Sequence, residues 1–218
     1  MDAKNSGTTI RLISGILAAQ KFPSSIAGDN HLNNRPMARI LIPLRKMGAD
    51  IKSTGNDVPP LSFRPVHSLK GIEYELPVAS AQVKSCILLA GLHAQDETVI
   101  IEKQVTRDHT ERMLGLNIID LEDQRKKIIS NPDMKIEDLS MHIPGDISSA
   151  AFILTAAALV ENSRVLIPDV GLNPTRTGFL QALLKMGGEV KVLDERRQDF
   201  EPIGTLSIGR KSIELFVI

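Results

Sequence analysis

Cysteine is almost absent from this chain. Its 218 residues hold one, Cys86, which excludes an internal disulfide or a cluster built on several thiolates and fits a reduced, cytosolic setting. Aromatics are nearly as scarce, with no tryptophan, one tyrosine and 3 % overall, which argues against base-stacking platforms. Neither charge is in excess: Lys plus Arg and Asp plus Glu number 26 each. The broad positive field that nucleic acid requires is therefore missing, and any anion site must be local. Apolar runs are broken by Lys, Arg, Gln or Thr before they reach membrane-spanning length. The opening MDAKNSGTT lacks the charged-then-apolar layout of a signal peptide. His31, His67, His93, His109 and His142 are scattered without metal-ligand spacing. No G-x-S-x-G elbow, Walker loop or G-x-G-x-x-G turn occurs.

What is present is a repeat. Apolar residues make up 42 % of the chain, enough for a sizeable core. Three segments open on small polar residues and run into an apolar helix and a short strand: Asn5 to Ala19, Ser80 to Leu92 and Asp146 to Leu159. The strands that follow are expected near Ser24 to Ala27, Glu97 to Glu102 and Ser163 to Ile167. Each copy then carries a second helix, and Gly48, Gly115 and Gly187 stand where a left-handed cap would end it. Further strands are expected at Asp50–Ser53, Leu61–Phe63, Ile72–Glu75, Asn117–Asp120, Lys126–Ser130, Leu139–Ile143, Glu189–Leu193, Thr205–Ile208 and Ile213–Ile218. The fold class is α/β (α+β), built of modules of roughly seventy residues. Their first helices are rich in Ala, Gly and Ser, which permits close packing. Pro144-Gly145 marks a boundary, giving a first domain of residues 1–143 and the start of a second at 144–218.

The helix starts are the first candidates for chemistry. Asn5, Ser6, Ser80 and Asp146 are capping types, and a helix N-terminus suits an anion. Gly7 would admit a ligand to the backbone. For any one start, ordinary capping is the simpler reading, and Asp146, which would repel an anion, reads as structural. Arg11 follows Gly7 by one turn. Arg35 precedes Pro36, which reads as the first position of a helix and would fix the entry of the chain. Thr106 to Arg112 holds two arginines and His109, and arginine grips phosphate and carboxylate with a two-pronged fork. Arg45, Arg125 and Arg196 read as a solvated charged face. The residues alone lead to a repeated α/β protein with a small-anion site.

The same residues carry a resemblance. N-S-G-T-T-I-R from Asn5, N-N-R-P-M around Arg35, L-P-V-A-S-A-Q-V-K-S from Leu76, T-R-D-H-T-E-R-M-L from Thr106, P-G-D-I-S-S-A-A-F from Pro144 and V-G-L-N-P-T-R-T-G from Val170 resemble, in order and spacing, the 5-enolpyruvylshikimate-3-phosphate synthase (3-phosphoshikimate 1-carboxyvinyltransferase) family. The resemblance covers nearly the whole chain. It implies two similar domains, each of three βαβαββ units, with substrates between them. It also implies transfer of the enolpyruvyl group of phosphoenolpyruvate to the 5-hydroxyl of shikimate 3-phosphate, releasing phosphate, on the route to chorismate and the aromatic amino acids. No metal or organic cofactor is implied. A monomer acting on small molecules in the cytoplasm, binding neither nucleic acid nor membrane, is expected.

Position by position, the resemblance implies that Asn5 binds substrate, that the backbone of Gly7 lies beside phosphoenolpyruvate and that Arg35 grips its anionic groups. Ser80 would hold the shikimate phosphate, Gln82 would reach both substrates, and Thr106 and Arg107 would complete the phosphate site. Thr106 stands where many members have serine, Ala81 replaces a second serine, and Lys4 replaces a usual glycine. The family's N-terminal Lys-Ser and nearby Arg would precede Met1. Its acid–base Asp and Glu, with later Lys and Arg residues, would follow Ile218. A central fragment with little or no transferase activity alone is therefore expected. Two other readings stand beside it, the first much the weaker. UDP-N-acetylglucosamine enolpyruvyl transferase shares the fold, but Asn30 stands where its loop cysteine would fall. A non-catalytic remnant that binds shikimate 3-phosphate is the alternative outside catalysis.

Overall fold

Short polar side chains start the long helices by capping their unpaired N–H groups. The computed structural model describes residues 1–134 and 140–209. In chain order it contains α1 (Gly7–Leu17), β1 (Ser24–Ile26), a single 3-10 turn (Leu32–Asn34), α2 (Ala38–Lys46), β2 (Ile51–Thr54), β3 (Val58–Phe63) and β4 (Glu73–Glu75). There follow α3 (Ala81–Gly91), β5 (Thr98–Glu102), α4 (His109–Leu114), β6 (Asn117–Asp120) and β7 (Lys126–Ser130). The rest comprises α5 (Ile147–Leu159), β8 (Arg164–Gly171), α6 (Gly178–Lys185), β9 (Glu189–Gln198) and β10 (Glu201–Gly209). Ser6 Oγ accepts from Thr9 N at 3.1 Å and Asp146 Oδ2 from Ser149 N at 3.1 Å. Gly48, Gly115 and Gly187 have φ of 96°, 61° and 88°, the left-handed conformation that ends a helix at little cost for glycine.

One sheet pattern recurs three times. Strand orders are β1-β3-β2, β4-β5-β7-β6 and β8-β10-β9. In each module the last strand lies in the middle, antiparallel to both neighbours. Strand β4 runs parallel to β5. Single parallel bridges, Asp2–Ala27 and Gly145–Val170, stand in the corresponding place of the other two modules. The unit is thus βαβαββ, with the leading strand shortened to a bridge in two copies.

The chain divides into two compact units, Met1–Ile136 and Glu137–Ile218. In the first, two modules share one core that includes Ile10, Leu41, Leu44, Leu61, Ile87 and Ile100. In the second, Leu154, Val170, Leu183, Leu206 and Ile208 form the core of the third module. Among the described residues no helix is long and apolar enough to cross a membrane.

Small residues let α1 and α3 meet at backbone distance. A Cβ built on Gly15 would lie 2.1 Å from the carbonyl oxygen of Cys86 and 3.0 Å from its carbonyl carbon. Cys86 itself is fully buried, and burial pushes its thiol up to about 12. The thiolate is the reactive form, so iodoacetamide at pH 8 is expected to label Cys86 only after denaturant is added. Labelling of the native chain, followed by mass spectrometry, would contradict this packing.

The structure corrects two expectations of regular structure. Residues 140–143 form no strand, and Ile143 is exposed; their apolar alternation finds no partner to pair with. The remaining residue of that stretch, Leu139, and the segment Ile213–Ile218 lie outside the described residues. Strands β8, β9 and β10 are each longer than expected, because pairing runs on to Gly171 in β8, through the charged stretch to Gln198 in β9 and back to Glu201 in β10.

Candidate anion-binding site

All seven residues singled out by resemblance fall in the first unit, and the loop before α2 is what carries Arg35 to Gly7. Asn33 locks that loop onto Gly28, donating from Nδ2 to the carbonyl at 2.7 Å and accepting the Gly28 N–H at 2.9 Å. Asp29 N donates to the Lys4 carbonyl at 2.7 Å, tying the loop to the strand that leads into α1. Arg35 follows the 3-10 turn in extended conformation, φ −85° and ψ 131°. Helix α2 starts only at Ala38, with Met37 as its cap. The expectation that Pro36 occupies the first helical position is therefore corrected. The 3-10 turn and the Asn33 clamp set the entry geometry instead. Lys4 sits at φ 52°, a left-handed conformation that glycine adopts without strain. This accounts for the glycine that the family usually places there.

Two guanidinium groups converge over the start of α1. A Cβ on Gly7 would lie 2.8 Å from Arg11 Nη1 and 3.2 Å from Arg35 Nη1. Neither arginine has a carboxylate partner among the described residues. Burial first, then the charges of Arg35 and Arg39, lowers the pKa of Arg11. Two guanidinium groups therefore face one place, with the charge of Arg39 near enough to be felt, and an anion there would relieve their repulsion. Arg39, on α2, escaped the sequence reading. The signal for it was its place four residues after Arg35 on an arginine-bearing entry.

Gln82 joins the start of α3 to this cluster. Its Oε1 accepts from Arg11 Nη1 at 2.8 Å, and its Nε2 donates to Thr8 Oγ1 at 2.7 Å. Arg11 Nη1 also donates to the Gly7 carbonyl at 3.3 Å. Ser80 caps α3, accepting from Val83 N at 3.4 Å, and is half-buried. Asn5 is exposed just before the Ser6 cap. The structure thus brings Gly7, Arg35 and Gln82 together, with Ser80 two residues before Gln82.

Thr106 and Arg107 follow β5 on a loop. Thr106 Oγ1 donates to Glu102 Oε2 at 2.9 Å, and Arg107 is exposed. Thr106 has one hydroxyl proton, so donation to a phosphate requires that proton to turn from Glu102. Glu102 also meets Lys84 Nζ at 3.0 Å, and Lys84 meets Glu111 Oε1 at 2.6 Å. Burial first raises the pKa of Glu111, against the pull of Lys84. Asp146, read as structural, caps α5 and pairs with Arg176 at 2.7 Å. Arg45, Arg125 and Arg196 pair with Asp57, with Glu75 and Asp123, and with Asp169 on the surface.

Comparison with known proteins matches the chain to one family. The family model for EPSP synthase (3-phosphoshikimate 1-carboxyvinyltransferase) matches residues 1–213. The 3-phosphoshikimate 1-carboxyvinyltransferase of Salinibacter ruber is 47 % identical over 215 residues, which are 98 % of this chain and 50 % of that protein. Its Bacillus subtilis counterpart is 46 % identical over the same length and shares. An EPSP synthase structure from Acinetobacter baumannii superposes with a TM-score of 0.84 at 48 % identity, covering 95 % of this chain and 47 % of that one. The chain spans about half the length of the relatives it matches. On its sequence, its repeated βαβαββ modules and these matches, it belongs to the EPSP synthase family.

Proposed function

We propose that the first unit binds shikimate 3-phosphate and phosphoenolpyruvate for enolpyruvyl transfer between them. The observation that carries this reading is the convergence of Arg11 and Arg35 over Gly7 without a carboxylate between them. In this reading phosphoenolpyruvate lies on the backbone at Gly7, with Arg35 and Arg11 on its anionic groups and Asn5 among the substrate-binding residues. Gln82 lies between the substrates. Ser80, Thr106 and Arg107 take the shikimate phosphate. The 5-hydroxyl then adds to C2 of protonated phosphoenolpyruvate, and a tetrahedral adduct expels phosphate. Cationic groups fixed before the reaction favour such charge development.

We further read residues 1–143 and 144–218 as belonging to two domains, and the chain as a cytosolic monomer. Half-length coverage of the relatives supports a further expectation: these 218 residues alone give little or no turnover, because the resemblance matches none of them to the acid–base Asp and Glu.

Titration calorimetry tests the reading. The chain is expected to bind shikimate 3-phosphate, and Arg35→Ala to weaken phosphoenolpyruvate binding in its presence by about tenfold or more, the worth of a charged hydrogen bond. No heat with either substrate at millimolar concentration would defeat the proposal.

A further inference from the structure

Lys84 is a lysine where none should be. It lies on α3 inside an unbroken run of buried residues from Val83 to Leu88, and its side chain is 0 % exposed. An ammonium is kept in such a place only by close opposite charge. Two carboxylates provide it, from different elements: Glu102 at the end of β5 and Glu111 on α4, 3 % and 1 % exposed. Glu102 does more than neutralise. The same Oε2 that takes Lys84 Nζ at 3.0 Å also accepts the Thr106 hydroxyl at 2.9 Å and its N–H at 3.4 Å. One oxygen thus receives three donors, two of them from the loop that presents Arg107. One turn before Lys84, α3 opens from its Ser80 cap, followed closely by Gln82. Beside it, Ser85 and Thr110 share a buried hydroxyl bond of 2.7 Å between α3 and α4.

We infer that Lys84 is a positioning residue: acting through Glu102, it sets the Thr106–Arg107 loop at a fixed distance from the start of α3, so that one phosphate meets both. The inference rests on the substrate reading above for what the loop binds, but not for how the loop is held. A buried ion pair that served stability alone would leave the loop ordered when the Thr106 bond is cut. A positioning device would not.

Two measurements on the 218-residue chain separate these cases. Hydrogen exchange read by mass spectrometry over residues 103–108 is expected to speed up about tenfold in Lys84→Met and in Thr106→Val, while Thr106→Ser keeps the parent rate. Calorimetry is expected to give about tenfold weaker binding of shikimate 3-phosphate to Lys84→Met, with binding of unphosphorylated shikimate unchanged. Unaltered exchange at 103–108 in both Lys84→Met and Thr106→Val overturns the inference. If Lys84→Met fails to fold, Thr106→Val, which leaves the buried charges intact, decides alone. A parent chain that binds no shikimate 3-phosphate sinks the substrate reading, and the exchange comparison still decides whether Lys84 holds the loop.

Discussion

Gly15→Ala is expected to remove about 3–5 kcal/mol of stability, a large share of what a domain has. The added methyl would stand 2.1 Å from the Cys86 carbonyl oxygen, 3.0 Å from its carbon and 3.3 Å from its Cα. All three atoms are backbone, so no rotamer change relieves the clash, and α1 and α3 must move apart. That movement uncovers Ile10, Leu17, Val83 and Ile87, which the two helices bury. Alanine's helix propensity offsets only about 1 kcal/mol of this. Gly178→Ala is the control, since its methyl would meet nothing within 4 Å. Urea denaturation of both variants measures the difference. A loss below about 1 kcal/mol in Gly15→Ala would show that the helices do not approach this closely.

Gly7→Ala should separate binding from folding in the opposite sense. Its methyl would meet Arg11 Nη1 at 2.8 Å and Arg35 Nη1 at 3.2 Å. Both atoms end long flexible side chains, so the fold can yield where Gly15→Ala cannot. Yielding, however, drives the two cations away from the backbone they converge on. With each charged hydrogen bond worth about 1.5–3 kcal/mol, phosphoenolpyruvate should bind about ten- to a hundredfold more weakly in the presence of shikimate 3-phosphate. Stability should hold or rise by up to about 1 kcal/mol, because alanine suits a helix better than glycine. Calorimetry and denaturation on the same preparation check both parts. Unimpaired phosphoenolpyruvate binding would show that the anion does not lie over Gly7.

How far the sequence discloses this arrangement depends on how local each cause is. Ser6, Ser80 and Asp146 announce their helices because a cap acts within three residues. Gly48, Gly115 and Gly187 announce helix ends for the same reason. The alternation of Leu139, Met141 and Ile143 imitates a strand, yet the described residues 140–143 join no strand ladder, and the His142 N–H donates instead to Asp199 Oδ2 at 2.8 Å. Strand formation needs a partner elsewhere, and a pattern of apolar residues does not supply one. In the site, Gly7 and Arg35 are legible by type and by resemblance. The bond from Gln82 to Arg11 joins residues 71 apart and is visible only in the fold. Lys84 offered a usable clue: a helix apolar on every side is buried, so a lysine within it requires acidic partners. Which carboxylates those are, and that one of them also holds Thr106, follows only from where β5 and α4 come to lie.

Gln82 gives the proposed pair of half-sites a shared thermodynamics. Its amide is oriented by Thr8 and Arg11, both on α1, while its own backbone opens α3 beside Ser80. In the proposed reading, a guest held at the start of α3 would bear through Gln82 on the arginine that awaits the other guest. Linkage makes that help reciprocal: in the proposed reading, whatever factor shikimate 3-phosphate adds to the affinity for phosphoenolpyruvate, phosphoenolpyruvate returns in equal measure.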